Sequence, residues 1–338
     1  FEHTLGLSLG YLVRDLMAHL GDPNLQVEEL PMAPVVDENN LPDDISVSGI
    51  VKFFIKRMNS KWEENHEYFT NNDYLAINQA YWSNYSHEVE PIELGEEETQ
   101  NLVKKCKETG VSVNTALTTA ITGAQGLVEG NKPYHPKLVV AASLRDRLPK
   151  NPGEGMGFYA GDVEMNFKYN QKKSLWQNAR SFQKKFAPKT ANKTVFGNIL
   201  NWVYLDPTIF EAMNFKKLGS LVPSTSPNYK KLASFSKKED VVMRILKRDN
   251  LHTLKNKHWG AAVTNLGRMD IPSEYGELKL DRVILQPGGG IPLVNVNLVL
   301  GAVTCAGKLS VVLEYAPQAI SGAKIKEIKA KFLELLLT

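Results

Sequence analysis

Hydrophobic positions recur at helical spacing near both ends of the chain, and in short solid or alternating runs between them. Leu9, Leu12, Val13, Leu16, Met17 and Leu20 form one stripe, with Ser8 as a cap and Gly21-Asp22-Pro23 as a stop, which predicts a buried helix directly after His3. Pro31, Pro34, Asp37-Glu38-Asn39-Asn40 and Pro42-Asp43-Asp44 then read as a surface crossing. Ile50, Val51, Phe54, Ile55, Met58 and Trp62 make a second stripe among Lys52, Lys56, Arg57 and Lys61. A basic amphipathic helix of this kind can lie on a membrane, but the commoner outcome is packing on its own protein. The aromatic cluster Tyr68, Phe69, Tyr74, Tyr81, Trp82 and Tyr85 suits a packing surface or a pocket wall.

From residue 88 the pattern changes to strand, helix, helix, strand. Val89, Ile92 and Leu94 predict a strand. Glu96, Glu97 and Glu98 open a helix that closes on Lys104, Lys105, Lys107 and Gly110, and Ser112 caps a second helix rich in small residues. Leu138 to Leu144 is a buried-strand run, and Leu175, Ala179, Phe182 and Phe186 mark a helix lying on a sheet. Residues 218–236 read as serine- and proline-rich turns, and residues 241–254 as a helix. The last hundred residues predict four strands, 259–266, 278–285, 294–304 and 309–315, the final pair joined at Ala306-Gly307, and then a helix through Ile325, Ile328, Phe332 and Leu335.

Composition narrows the classes. A chain of 338 residues, 43% hydrophobic and 23% charged, buries a large core and suits about two domains. A net charge of +3 argues against nucleic acid as partner. No apolar run reaches the ~18 residues that span a bilayer. Cys106 and Cys305 lack metal spacing and read as buried free thiols, which favours a reducing, cytoplasmic compartment, while the sequons Asn84-Tyr85-Ser86 and Asn192-Lys193-Thr194 leave secretion open. Gly288-Gly289-Gly290 has no following Lys-Ser or Lys-Thr and reads as a turn, not a P-loop.

The candidate chemistry starts at His3. In Glu2-His3-Thr4-Leu5-Gly6-Leu7-Ser8, a titratable ring stands beside glycine positions where another backbone or a ligand can come close. That placement suits a general base held at a cleft; a purely structural histidine is the other reading. This stretch, with Tyr11-Leu12-Val13-Arg14-Asp15-Leu16 after it, resembles the His-His-x-x-x-Asp-Gly segment and following helix of the condensation-domain superfamily, which includes chloramphenicol acetyltransferase. Glu2 stands where the first histidine would be, and the Asp-Gly pair is absent. The strand ending on Leu144-Arg145, followed by Gly155-Met156-Gly157-Phe158-Tyr159, is similar to the superfamily's strand and cleft segment. Val263-Thr264-Asn265-Leu266-Gly267, Leu278-Lys279-Leu280 and the Gly307 to Tyr315 segment resemble the C-terminal lobe of the alcohol O-acetyltransferase and phthiocerol dimycocerosyl transferase branch.

The resemblance implies an α/β (α+β) fold: two acetyltransferase-like lobes, each a mixed sheet flanked by helices, with a tunnel between them. Residues 1–87 would be the end of the first lobe and 88–338 the second, and sequence ahead of Phe1 is expected to be missing. It implies an acyltransferase in which His3 is the base, Arg145 braces the motif, and Thr264, Asn265, Gly267 and Gly157 line the cleft. Since the motif aspartate is absent, Arg145 would need another partner. No tightly bound cofactor is implied; acyl-CoA or an acyl-phosphopantetheine is the co-substrate, an alcohol or amine the acceptor, and an acyl carrier protein a further partner. Lys216-Lys217, Lys230-Lys231 and Lys237-Lys238 would either meet the coenzyme's phosphates or form a solvated face. The alternatives are a catalytically inactive binding or structural relative, favoured by Glu2 and the missing Asp-Gly, and an amide-forming condensation module.

Overall fold

The computed structural model describes residues 2–26, 29–248, 258–288 and 295–338, and the side chains of residues 2–5, 198, 201 and 202 lie outside that description. The first part of the chain is helical: α1 (Glu2–Gly21), α2 (Gly49–Glu63) and α3 (Asn71–Asn84). There follow β1 (Glu88–Leu94), α4 (Glu96–Thr109), α5 (Val113–Glu129), β2 (Lys137–Ser143), β3 (Ala160–Asn166) and α6 (Leu175–Phe186). Five helices come next: α7 (Asn192–Val195), α8 (Gly197–Tyr204), α9 (Pro207–Leu218), α10 (Tyr229–Lys237) and α11 (Val241–Arg248). The chain then forms β4 (Trp259–Arg268), β5 (Glu274–Tyr275), β6 (Leu278–Lys279), β7 (Val296–Cys305), β8 (Lys308–Tyr315) and α12 (Gly322–Leu337).

Six strands make one mixed sheet in the order β1-β8-β7-β4-β2-β3. β2, β4 and β7 run parallel, while β3, β8 and β1 are antiparallel to their neighbours. Central β7 is buried along nearly its whole length, as a parallel strand covered on both faces should be. The predicted hairpin forms at Ala306 (φ 48) and Gly307 (φ 77), two consecutive left-handed residues that suit the twist of a two-residue turn. One sheet face packs Leu138, Val140, Val163, Val263, Leu300, Val311 and Leu313 against α4, α5, α6 and α12. On the other face lie Val139, Ala262, Val296 and Val299, with Gly301 pressed so closely under the Leu285 carbonyl that a Cβ would stand 2.6 Å from it.

A second hydrophobic cluster is all helical and draws on both sides of residue 88. Trp62, Ile77, Ala80 and Tyr81 of α2 and α3 pack with Ile209, Phe215, Leu232, Phe235 and Val242 of α9, α10 and α11. The aromatic residues between α2 and α3 belong to this packing: Phe69 stacks on Phe215 at 3.6 Å between centroids.

Several expectations are corrected. Residues 229–237 are a helix, not turns, and residues 207–218, where no element was expected, form another; Asp206 caps it through Thr208 N, with Pro207 at its first position. The strand expected over 278–285 is confined to Leu278–Lys279, because its partner is the two-residue β5 rather than the large sheet. Of the six lysines, Lys216 and Lys217 are buried and Lys231 is held by Asp73, so only Lys230, Lys237 and Lys238 are exposed as a solvated face would be. The helix expected to continue past Arg248, and all but Gly288 of the glycine triplet, lie outside the described residues.

Candidate active site

α1 organises the residues on which a site can be built, and it differs from the sequence expectation in two ways. It starts at Glu2, so His3 sits in its first turn rather than ahead of it, and Ser8 is inside the helix rather than its cap. The side that meets the protein is also not the leucine stripe. Gly6, Ser8 and Gly10 are buried, whereas Leu9, Leu12, Leu16 and Leu20 are 45–57% exposed. Small residues let the helix axis approach the sheet end closely, and the large side chains then point away from it.

Two anchors fix the N-terminal half of α1. The first is the end of β4. A Cβ on Gly6 would stand 2.7 Å from Leu266 Cδ2, so the contact requires glycine or a shift of that leucine. Leu266 lies between Asn265 and Gly267. Asn265 Oδ1 accepts from Gly267 N at 2.8 Å, and Gly267 takes φ +74, so a tight side-chain-closed bulge turns the strand just before its last pair, Arg268 with Thr304. Thr264, one step earlier, is buried in register with Gly301.

The second anchor is Arg145, whose side chain enters the interior from the short helical turn after β2. Its Nη2 donates to Ser8 Oγ at 2.8 Å and to the Gly155 carbonyl at 3.0 Å; its Nη1 donates to the Gly153 carbonyl at 2.6 Å. The guanidinium also lies 4.8 Å from the ring centroid of Tyr159 and 6.0 Å from that of Tyr11. Among the described residues no carboxylate forms an ion pair with it, so neutral acceptors and aromatic faces satisfy this buried cation. Thus Arg145 does contact the His3-bearing helix, through a serine hydroxyl instead of the aspartate that the family motif would supply.

A further link was not visible in the sequence. Arg14 Nη1 and Nη2 donate to both oxygens of Glu154 at 2.6 and 2.7 Å, while Nε donates to Asp15 at 2.7 Å. The Glu154 and Asp15 carboxylates raise the Arg14 guanidinium further above its ordinary value, and the hydrogen bonds from Arg14 hold Glu154 below the usual carboxylate range. The partners are 140 positions apart, and no local spacing marks either of them. The same loop is tied to the surface crossing, because Tyr159 donates its hydroxyl to the Pro34 carbonyl at 2.5 Å and Gly155 packs on Ala33. Gly157 leaves room for the Tyr159 ring, which a Cβ there would meet at 2.7 Å.

Gly6 and Ser8 therefore meet Leu266 and Arg145 from different sides of one turn of the helix, and this brings the backbone of the His3 segment, the Arg145 loop and the Asn265–Gly267 turn into one region. The His3 ring itself lies outside the described side chains. Among the described residues no group of three His, Cys, Asp or Glu could hold a metal ion. A cavity of about 280 Å³ lies elsewhere, lined by Leu127, Tyr169, Leu175, Trp176, Leu335 and Thr338.

No known family model and no curated protein matches the sequence. The fold does match solved structures. The trichothecene 15-O-acetyltransferase of Fusarium sporotrichioides aligns with TM-score 0.56 and 12% identity over 98% of this chain and 63% of that one. The epimerization domain from the third module of tyrocidine synthetase B aligns with TM-score 0.53 and 11% identity over 98% and 65%. The first condensation domain of the calcium-dependent antibiotic synthetase, in complex with a substrate analogue, gives 0.50 and 13% over 98% and 60%. The chain shares the α/β fold of these acetyltransferase, epimerization and condensation structures, and it spans 60–65% of their length.

Proposed function

We propose that the chain works in acyl transfer, moving an acyl group from a coenzyme A or carrier-protein thioester to an alcohol or amine. The observation that supports this is the seating of the His3 helix at the Asn265–Gly267 end of β4, within a fold shared with an acetyltransferase and a condensation domain. In this reading the neutral imidazole of His3 takes the acceptor's proton as the acceptor oxygen or nitrogen bonds to the thioester carbon. The C–S bond then breaks, and the leaving thiolate takes that proton. General-base assistance of this kind contributes roughly a hundred- to ten-thousand-fold. Asn265 can assist a developing oxyanion only through Nδ2, its donor, and the bond from Gly267 N to Oδ1 fixes the orientation of that amide. Arg145 is a positioning residue: it holds α1 through Ser8 and the cleft loop through Gly153 and Gly155.

The test is thiol release from a panel of acyl-CoA and acyl-phosphopantetheine thioesters, with and without alcohol and amine acceptors. His3→Ala should lower the acceptor-dependent rate by about a hundred-fold or more while leaving the melting temperature nearly unchanged. A variant that keeps most of the rate removes His3 from the mechanism. Alcohol-dependent release indicates an O-acyltransferase, and amine-dependent release an amide-forming condensation module.

A second reading rests on a specific observation: Arg145 is satisfied without a carboxylate, and α1 runs unbroken through Leu5-Gly6-Leu7. Both suit a relative that keeps the fold and binds without catalysing. Failure of the wild type to release thiol from any thioester in the panel would favour it.

A further inference from the structure

α2 carries two apolar stripes, and among the described residues only one is covered. Ile55, Met58 and Trp62, at i, i+3 and i+7, face inward, while Val51 one turn earlier is 37% exposed; Ile55 and Trp62 are buried, and Trp62 Nε1 donates to Thr208 Oγ1 at 2.8 Å. Ile50, Phe53, Phe54, Arg57 and Lys61, at i, i+3, i+4, i+7 and i+11, share a second side about 110° round the helix. Ile50 is 71% exposed, Phe53 61% and Phe54 57%, and the two phenyl rings meet edge to face at 5.9 Å. Arg57 and Lys61 are exposed beyond them, Lys56 flanks the stripe, and the neighbouring α11 adds exposed Arg244. The first acid on that side is Glu64, at the helix cap past Lys61.

Single exposed apolar residues are ordinary on a protein surface, but three large ones in the first turn, followed by cations, are a sorted patch. Its order is that of an interfacial helix. Apolar and aromatic groups can enter the headgroup boundary while basic side chains meet anionic headgroups, and the inner stripe anchors the helix to a folded body. Charge decides against a plain apolar partner, because the cations lie on the exposed stripe itself. The exposed leucines of α1 lack this pattern: Arg14 is committed to Glu154 and Asp15, and nothing on that face supplies free positive charge.

We propose that the outer face of α2 docks the protein peripherally on an anionic membrane surface, with Ile50, Phe53 and Phe54 entering the headgroup boundary and Arg57 and Lys61 meeting the headgroups. The full chain should co-sediment with phosphatidylcholine vesicles containing phosphatidylserine, weakly with phosphatidylcholine alone, and less as salt rises. Phe53→Ser with Phe54→Ser should lower partitioning about ten-fold or more. Arg57→Glu and Lys61→Glu should each lower it about five-fold or more, since a basic residue near such a surface contributes about that factor. Leu12→Ser with Leu16→Ser, on the other exposed stripe, should leave it unchanged, and circular dichroism and melting curves check that each variant is folded. The proposal is overturned by absent binding to the anionic vesicles, by binding that survives the phenylalanine pair, or by binding lost with the leucine pair instead. It is overturned equally if sedimentation without lipid shows a dimer that the phenylalanine pair abolishes, which would give the face to a second copy of the chain.

Discussion

Lys216 and Lys217 show how much a residue's chemistry depends on where its helix turns. Read as part of a lysine-rich stretch, both fit a phosphate-binding or solvated role. Yet α9 packs into the helical core, and both are buried. Lys216 finds compensation: its Nζ donates to the carbonyls of Phe235 and Lys238 at 2.7 Å, pairs with Asp240 at 2.8 Å and lies 3.9 Å from the Phe235 ring centroid. Burial still pulls its pKa down. For Lys217 burial prevails more strongly, and its pKa is pushed down to about 8 from an ordinary 10.5. The consequence for stability has a definite sign. Below about pH 8 the folded protein carries a buried ammonium; between there and 10.5 the unfolded chain binds more protons than the folded one, so stability rises with pH across that window. The stability of Lys217→Met relative to the wild type should therefore be greatest below pH 8, and that advantage should shrink as pH rises from 8 to 10. Paired denaturation curves at several pH values measure this; an advantage that is flat or grows with pH would refute the assignment.

At the scale of elements, α1 separates what periodicity reveals from what it hides. The strands and helices of residues 88–186, apart from the unexpected β3, and those of the C-terminal hairpin were readable because each has a one-sided pattern and a local stop: Ser112 accepts from Thr115 N, and Gly110 closes α4 at φ +69. The order of motifs likewise gave the fold. α1 was misread because its largest apolar residues are the ones left outside, while its contact face is Gly6, Ser8 and Gly10, which carry no hydropathic signal. α10 was missed because the serines and prolines of 218–236 suggested turns, and α9 was left without an expected element although Asp206-Pro207 is a helix start. Of the candidate site, Arg145 was placed by its strand end, but its serine partner and the Arg14–Glu154 fork depend on contacts no local pattern encodes. The glycine face of α1 makes a graded prediction. At Gly6 an added Cβ meets only the tip of Leu266, and the gain in helix propensity, about 1 kcal/mol, offsets the adjustment, so Gly6→Ala should be close to neutral. At Gly21 the Cβ would stand 2.5 Å from the Tyr275 carbonyl oxygen, which is backbone and cannot swing away. Gly21→Ala should cost about 1–3 kcal/mol in urea denaturation. Equal effects at the two positions would mean that α1 is not seated as described.

Across the whole molecule, two cores hold the chain, and α1 belongs to neither. The sheet and α4, α5, α6 and α12 share one buried cluster; α2, α3, α9, α10 and α11 share the other. α1 is fastened at its margin by a few discrete contacts: Gly6 on Leu266, Gly10 on Met269, Ser8 on Arg145, the Arg14–Glu154 fork and Gly21 on Tyr275. An element with four exposed leucines and little buried apolar area should detach at a lower free energy than the sheet unfolds. That matters for function, since the helix that would carry the base is also the one most readily displaced from the Asn265 turn. Native-state hydrogen exchange tests the order. Amides of β7 and β8 should exchange only with global unfolding, whereas those of α1 should exchange together through a smaller opening, with less dependence on denaturant. Glu154→Gln, which removes half of the Arg14 fork's charge, should speed exchange in α1 and leave β7 unchanged. If α1 is protected as strongly as β7, or if Glu154→Gln changes both equally, the helix is an integral part of the sheet core and not a separately held arm.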